Sequence, residues 1–209
     1  MKKKYILLFL CFLTGCCDMK HESNAYYSNI KEHNLFSKNL VYVWDDYIET
    51  QSKKYNIDAN LIRAIIYSES QGNPLSIGKN NSIGLMKIQP KRAGMLVYRY
   101  LGKNIIPSFT TLLNPHNNIN IGTTYLHLIQ NKYLLGIKNK ENLRYATIIS
   151  YYIGPNTFLK IFSSNRSESI KKINSLTPIQ FLLNVKKINL SVHSLKYLKK
   201  VNTVYRLFK

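Results

Sequence analysis

The sequence predicts one mostly α-helical domain, and three observations lead to that prediction. From about residue 37 onward, apolar residues recur every three or four positions, as they do on one face of a helix. The alternating apolar and polar pattern of half-buried strands is nearly absent. Hydrophobic residues make up 45% of the 209 residues, enough to build a core. We therefore expect a single helical domain over residues 37–209.

The N-terminus has the order of features found in an export signal. Residues 2–4 are lysines, and residues 5–13 form an apolar run too short to span a bilayer as a mature helix. The small residues Thr14 and Gly15 then precede Cys16. This order resembles the bacterial lipobox, in which the cysteine is lipidated and becomes the mature N-terminus. A plain secretory signal with a chance cysteine is the alternative.

Cleavage before Cys16 would give residues 1–15 as a lipoprotein signal peptide and residues 16–36 as a polar tether from the lipidated cysteine. The folded region then has no cysteine, which excludes disulfides and thiol catalysis there. Residue 17 is Cys and not Asp, the usual inner-membrane retention signal of enterobacterial lipoproteins. We therefore expect a lipid-anchored protein of the outer membrane that faces the periplasm.

The helices follow from periodicity and capping residues, in chain order. Asp58 can cap a helix that runs to about Ser70, with Ile62, Ile65 and Ile66 on its apolar stripe. The segment 143–153 is nearly all apolar, which predicts a central buried helix. The other predicted helices cover residues 40–55, 91–101, 117–134, 156–163, 177–186 and 191–207, with a loop or short hairpin over 71–82 and a loop over 102–115.

The chain is strongly basic, with 30 Lys and Arg against 10 Asp and Glu, for a net charge of +20. Such a charge suits an anionic partner such as a nucleic acid, a membrane surface or an acidic polymer. Because Lys far outnumbers Arg while Asn and Ile are abundant, A/T-rich codon usage is an alternative source of the charge. Export also argues against a nucleic-acid partner, so we expect none.

Glu69 is the most informative residue of the sequence. It lies seven, four and three positions after Ile62, Ile65 and Ile66, which puts a carboxyl on an apolar stripe. Burial and the nearby helix C-terminus both disfavour its negative charge and predict a raised pKa. A carboxyl that stays protonated near neutral pH can act as a general acid. The alternatives are a buried Glu paired with a basic residue, or a frayed helix end.

No second acid follows Glu69 closely, because residues 71–140 contain neither Asp nor Glu. A glycosidase with two carboxylates needs a second acid across the cleft, about 5 to 9.5 Å away. The acids before Glu69 are interpreted as helix-surface or capping residues; they are Asp45, Asp46, Glu49 and Asp58. If Glu69 is catalytic, it is expected to act as the only carboxylate.

Several short segments follow one another in a fixed order along the chain, namely Glu69-Ser70, Gly84-Leu85-Met86, Arg144-Tyr145-Ala146-Thr147, Ser150-Tyr151, Gly154 and Tyr197-Leu198. Taken in this order, they resemble the lytic transglycosylases of the goose-lysozyme-like (SLT) superfamily. Together with the lipobox they look most similar to the membrane-bound lytic murein transglycosylases of the C and E types. The resemblance implies a lysozyme-like helical fold and cleavage between N-acetylmuramic acid and N-acetylglucosamine in peptidoglycan. In that family one Glu is first acid and then base, and the product ends in a 1,6-anhydromuramoyl ring.

The resemblance also implies roles for individual residues. Glu69 would carry both catalytic steps and Ser70 would help to hold its carboxyl. Met86, Gln89, Tyr151 and Tyr197 would line the cleft, although core packing explains Met86 and Tyr151 as well. Lys87 stands where the family has Gln, and Tyr152 and Ile153 depart from its Tyr-Asn-Gly pattern.

These departures leave two alternatives open besides the transglycosylase, a catalytically weakened peptidoglycan-binding lipoprotein and a hydrolytic muramidase. The expected partners are peptidoglycan glycan strands and, through Cys16, a membrane. No cofactor is expected, and the five histidines show no spacing that predicts a metal site.

Overall fold

The structure is a computed structural model that describes residues 39–78, 80–187 and 190–209. The signal peptide, Cys16 and the tether fall outside these residues, so the domain boundaries predicted there stay predictions. The helices of the described chain are α1 Asp45–Tyr55, α2 Ala59–Ser70, a π-helix Pro90–Gly94, α3 Met95–Tyr100, α4 Phe109–Leu113, α5 Pro115–Leu128, a π-helix Ile129–Tyr133, α6 Lys140–Ile153, α7 Pro155–Phe162, α8 Arg166–Asn174, α9 Pro178–Lys187 and α10 Val192–Leu207. No β-strand occurs in the part of the chain that the structure describes, only isolated bridges.

Helix α2 forms as its sequence predicts. The Asp58 side chain accepts a hydrogen bond from the Asn60 N–H and caps the N-terminus. Gln71 ends the helix in a left-handed conformation, and its N–H donates to the Tyr67 carbonyl. The stripe that contains Ile62, Ile65 and Ile66 is buried without exposure. Glu69 therefore lies in the last turn of a helix whose apolar face is in the core.

Three other predictions of helices need correction. The predicted helix 40–55 is interrupted, because residues 39–42 are helical and a turn at 43–44 precedes α1. The predicted loop 102–115 contains α4, which is capped by the Ser108 side chain. Helix α8 was not predicted because its sequence is mostly polar and only Ile170 and Ile173 give it an apolar face.

Helix α10 packs against both α2 and α6. The buried face of α6 includes Tyr145, Ala146, Ile148 and Ile149, as expected for a central helix. The side chains of α10 therefore reach the end of α2 from a distant part of the sequence. This packing positions the candidate site.

The segment between α2 and the first π-helix is a compact turn region, close to the predicted loop or short hairpin. Ile83 pairs in isolated antiparallel bridges with Ile77 and Ile88. The buried Asn118 side chain supports this region from α5, since it accepts from the Met86 N–H at 2.8 Å and donates to the Ile83 and Leu112 carbonyls at 2.8 and 2.7 Å. The buried amide thereby satisfies three backbone groups.

Gly84 lies directly against the Asn118 side chain. Its φ is +80°, in the left-handed region, and a Cβ there would lie 2.2 Å from the Asn118 side-chain nitrogen. Only glycine meets both conditions without strain.

Among the described residues, no helix has the length and apolar character needed to cross a membrane.

Candidate active site

Glu69 and Tyr197 meet at the contact between α2 and α10. The Tyr197 hydroxyl donates a hydrogen bond of 2.7 Å to Oε1 of Glu69, across 128 residues of sequence. Burial and the neighbouring Glu69 charge raise the pKa of Tyr197 well above its usual value, so the hydroxyl stays protonated and remains a donor. The structure thus brings Glu69, which its position on the apolar stripe had marked, together with Tyr197, which only the family resemblance had marked.

Burial raises the pKa of the Glu69 carboxyl above its usual value. The Tyr197 hydrogen bond and the positive charges of Lys200 and Lys87 act in the opposite direction and lower this pKa in part. The sequence predicted the effect of burial on this pKa but not the opposing effects of Tyr197 and Lys200. In the folded chain burial is the larger effect, so the carboxyl holds its proton to a higher pH than an exposed Glu does.

Lys200 belongs to the site although sequence reasoning did not assign it a role. Its Nζ donates to the Ser68 carbonyl at 2.5 Å, one of the last carbonyls of α2, and its charge acts on Glu69. A cation at a helix C-terminus is favoured by the helix dipole. The available signal was its position three residues after Tyr197, which places both side chains on one face of α10.

Tyr151 lies beside the turn region and is held by the backbone. Its hydroxyl donates to the Met86 carbonyl at 2.7 Å, and its ring contacts Tyr125 with centroids 5.4 Å apart. Burial raises its pKa well above the usual value, and the Glu69 charge raises it further. The Tyr151 hydroxyl is therefore neutral, and these contacts fix the position of its ring. The charge of Glu69 acts on this hydroxyl.

Met86 and Ser70 do not take the places predicted for them. The Met86 side chain is fully buried and packs against Gly122, so it belongs to the core and does not line the cleft. The Ser70 hydroxyl donates to the Ile66 carbonyl and accepts from the Gly72 N–H. It finishes the backbone hydrogen bonding of α2 and does not hold the Glu69 carboxyl.

A groove of about 310 Å³ lies next to these residues. Lys87, Gln89 and Tyr151 line it, whereas Glu69 is not part of its wall. Lys87 has a φ of +49°, an unusual conformation for a residue with a side chain. Because the Lys87 charge acts on Glu69, this residue connects the carboxyl with the groove.

Tyr152 also belongs to this region, although the sequence marked it only as a departure from the family's Tyr-Asn-Gly pattern. It lines the groove and its ring stacks on Tyr197, with centroids 4.6 Å apart and an angle of 20° between the planes. The stacked ring keeps the Tyr197 side chain in place beside Glu69.

The other acids of the described chain are mostly bound elsewhere. Asp45 and Glu49 are partly exposed on α1 and bind the buried Arg63 guanidinium at 2.6 and 2.5 Å. Asp58 caps α2 and accepts from Tyr205, and Glu141 accepts from Arg144 and Tyr145. No carboxylate is among the groups whose charge acts on Glu69 within the described chain.

Within residues 39–78, 80–187 and 190–209, no group of three or more His, Cys, Asp or Glu side chains is arranged to hold a metal ion. The groups around Glu69 are suited to proton transfer. A single buried carboxyl can give up a proton, and Tyr197, Lys200 and Lys87 then stabilise the carboxylate that remains.

The chain is similar to a known protein family and to several known proteins. The family described as transglycosylase SLT domain matches residues 46–174. A membrane-bound lytic murein transglycosylase E of Buchnera aphidicola subsp. Baizongia pistaciae is 41% identical over 97% of this chain and 96% of its own length. An endo-type membrane-bound lytic murein transglycosylase A of Cronobacter sakazakii is 35% identical over 96% of this chain and 97% of its own length.

Solved structures support the fold. The 70 kDa soluble lytic transglycosylase of Escherichia coli matches with a TM-score of 0.56 and 21% identity, over 79% of this chain. The lytic transglycosylase Slt of Pseudomonas aeruginosa matches with a TM-score of 0.55 and 17% identity, over 78% of this chain. This chain spans 24% and 23% of the lengths of those two chains. At these identities the likeness shows the fold alone, and it confirms the predicted helical architecture.

Proposed function

The chain belongs to the transglycosylase SLT family and is a peptidoglycan-cleaving lytic transglycosylase, and we propose that Glu69 alone performs its acid and base chemistry. The observation that carries the proposal is the buried Glu69 carboxyl, which binds Tyr197 and has no carboxylate among the groups acting on it in the described chain. A raised pKa keeps such a carboxyl protonated and ready to donate.

In the first step, protonated Glu69 donates its proton to the glycosidic oxygen between N-acetylmuramic acid and N-acetylglucosamine. The bond from that oxygen to C1 of the muramoyl sugar breaks, and the N-acetylglucosamine portion leaves as an alcohol. Positive charge develops at C1, where the acetamido group of the same sugar stabilises it. Glu69 is now a carboxylate, which Tyr197, Lys200 and Lys87 stabilise.

In the second step, the Glu69 carboxylate takes the proton of the muramoyl 6-hydroxyl. That oxygen bonds to C1 and closes the 1,6-anhydro ring, and Glu69 is protonated for the next cycle. Water is not the nucleophile, so no second carboxylate is needed to activate it. The absence of acids from residues 71–140 supports this route over hydrolysis.

For the substrate, we propose that Lys87, Gln89, Tyr151 and Tyr197 contact or position the glycan strand. The groove lining and the Tyr197 hydrogen bond support this assignment. Met86 and Ser70 are left out, because their side chains serve the core and the end of α2.

The chain is associated with a membrane, as are the relatives named membrane-bound. We propose that lipid on Cys16 anchors it in the outer membrane with the domain facing the periplasm. The support for this finer assignment is the order of charge, apolar run, small residues and cysteine in residues 2–16.

The decisive experiment digests purified sacculi with the full chain and identifies the fragments by mass spectrometry. We expect 1,6-anhydromuropeptides from the wild type and a loss of about 10²- to 10⁴-fold with Glu69→Gln, the range for a general acid. Glu168→Gln, which removes an exposed carboxylate bound to Lys171, is the matched control and should keep the activity.

Other products would contradict the proposal in different ways. Fragments with reducing muramic acid ends would show water addition and select a muramidase. Sacculi that bind the chain without release of fragments would select a wall-binding lipoprotein.

A further inference from the structure

Helix α9 carries apolar side chains on two opposite faces. The inner face holds Phe181 and Val185, which are fully buried in the core. The outer face holds Ile179, Leu182 and Leu183, which are 73%, 37% and 54% exposed. With 3.6 residues per turn, these three positions fall within one stripe about 100° wide, on the side away from the core. A helix that is apolar on both sides is normally covered on both, but no described part of the chain covers this stripe.

The outer face of α9 ends in positive charge. Lys186 lies three positions after Leu183 and seven after Ile179, so it shares their stripe, and Lys187 follows it. Both lysines are exposed, and neither forms a salt bridge with any described residue. Residues 169–209 contain nine Lys and Arg but neither Asp nor Glu. The face therefore suits a partner that offers apolar groups and negative charge side by side.

Helix α9 lies apart from the groove. Its Phe181 ring contacts the Tyr145 ring of α6 and the Phe158 ring of α7, with centroids 6.0 and 6.3 Å apart. Tyr145 precedes the groove residue Tyr151 by about 9 Å along α6, and no residue of α9 is among those that line the groove. A partner on the outer face of α9 would therefore leave the groove open.

The charge of the chain decides between two kinds of partner. A second copy would bring the same basic residues to the contact, and like charges at close range are unfavourable. A bilayer with anionic lipid supplies both groups that the face needs. Its acyl chains take up apolar side chains, and its headgroups attract lysines.

A second group of exposed apolar residues is less suited to a bilayer because it adjoins the groove. Arg99, directly before this group, lines the groove, and Pro107 packs against Gly94, whose two chain neighbours also line it. A bilayer on this side would approach the groove and compete with the glycan strand for space. The residues of this group are Tyr100, Leu101, Ile105, Ile106 and Phe109.

The predicted tether has a suitable length. Residues 17–38 separate Cys16 from the first described residue. A polar chain of that length without regular structure spans about 25 Å on average. With lipid on Cys16, α9 would therefore be within reach of the bilayer surface.

We infer that the outer face of α9 rests on the anionic surface of the membrane. Ile179 and Leu183 reach the upper acyl chains, and Lys186 and Lys187 lie among the headgroups. This second attachment orients the domain so that the groove stays accessible. The inference goes beyond the proposed function and uses the proposed anchor on Cys16 only to keep the domain nearby. The face alone binds weakly and reversibly, so a chain without the anchor still leaves the membrane.

The test places a tryptophan on the face. The full chain carrying Leu183→Trp is reconstituted with phosphatidylglycerol vesicles whose acyl chains carry bromine, which quenches indole fluorescence on contact. The signal of the wild type, which has Trp44 alone, is subtracted. We expect a loss of fluorescence at position 183, and Ile179→Trp should show the same loss. Ile105→Trp, on the other exposed apolar segment, is the matched control and should keep its fluorescence.

The lysines are tested in the same reporter chain. Lys186→Gln/Lys187→Gln should lower the ratio of docked to undocked α9 about fivefold for each lysine removed. Lys53→Gln/Lys54→Gln removes equal charge from exposed positions at the end of α1 and should keep the ratio. Vesicles of phosphatidylcholine, which carry no net charge, should quench position 183 far less than phosphatidylglycerol does.

Salt separates this inference from the proposed anchor. High salt screens the lysines and should weaken the quenching at position 183, whereas a lipid on Cys16 keeps the chain on floating vesicles. Quenching at low salt supports the face even if the chain does not float at high salt. A chain that floats at high salt but shows no quenching at position 183 is anchored without the α9 contact.

Three further results would overturn the inference. Equal quenching at positions 183 and 105 would show a membrane contact without a preferred face. Quenching that is indifferent to the lysines and to the lipid headgroup would remove the role of charge. A dimer in sedimentation that is lost with Ile179→Gln/Leu183→Gln would assign the face to a second copy of the chain.

Discussion

Glu69 experiences opposing effects at the scale of the single residue. Burial disfavours its charge, whereas Tyr197, Lys200 and Lys87 favour it. This combination suits a group that must be protonated before bond cleavage and ionised after it. Two measurable consequences follow for this carboxyl and its tyrosine.

The first concerns the stability of the protein as a function of pH. Since folding raises the pKa of Glu69, its contribution to stability is fully present below the pKa of the unfolded chain. It is lost as the pH rises through the higher pKa of the folded state. Glu69→Gln, which stays neutral, should therefore raise Tm at about pH 8 and lose this advantage near about pH 4.

Thermal unfolding of the two proteins across that pH range checks the sign. Glu168→Gln provides the comparison, since its exposed carboxyl should give no such gain. A Glu69→Gln protein that is less stable than the wild type at about pH 8 would show that the partners of Glu69 outweigh its burial.

The second consequence concerns Tyr197. Tyr197→Phe keeps the ring on Tyr152 but removes the donor to Oε1 of Glu69, so the pKa of Glu69 should rise further. The alkaline limb of the kcat/KM profile should move to higher pH, and kcat should fall about tenfold or more, as for a lost bond to a charged group. Tyr145→Phe removes an equivalent bond to Glu141 and should leave the profile in place. An unmoved alkaline limb in Tyr197→Phe would refute the coupling.

At the scale of elements, the site depends on how α5 supports the turn region that follows α2. Asn118 holds the backbone at Ile83 and Met86, and the Met86 carbonyl in turn holds the Tyr151 hydroxyl. A polar side chain in α5 thereby sets the position of an aromatic ring from α6. Periodicity predicted α5 and α6 but gave no sign of this connection.

Asn118→Ala should therefore be strongly destabilising. It leaves one backbone N–H and two carbonyls without their buried partner, which costs about 3 kcal/mol or more in the free energy of unfolding. Urea unfolding measures this loss. The exposed neighbour Asn117, substituted as Asn117→Ala, should change stability by less than about 0.5 kcal/mol. Equal losses in the two variants would contradict the supporting role of Asn118.

At the scale of the whole molecule, a helical domain follows an N-terminal segment that resembles a lipoprotein signal. Among the described residues no helix can cross a membrane, and the relatives are named membrane-bound. Lipid on Cys16 would account for the association of such a domain with a membrane.

Substitution of the cysteines tests this anchor. Cys16→Ala should abolish labelling with palmitate and move the chain from the membrane fraction to the soluble fraction. Cys17→Ala, which changes the neighbouring cysteine, should keep both the label and the membrane location. Labelling that depends on Cys17 and not on Cys16 would place the lipid at a different residue.

Three features could be predicted from the sequence alone, namely the helical class, the end of α2 at Ser70 directly after Glu69, and the lack of acids over residues 71–140. Those features depend on local periodicity, capping and composition, which can be read along the chain. It did not reveal α8, whose polar sequence hides its short apolar face.

The groups that surround Glu69 depend on tertiary packing and could not be predicted from the sequence. Tyr197 and Lys200 reach it from α10, while Ser70, its neighbour in sequence, bonds to the backbone of α2. Met86 turned into the core for the same reason, that side-chain positions depend on packing between distant helices. The pKa of Glu69 is likewise a balance of burial against charges, and that balance exists only once α2, α6 and α10 have packed together.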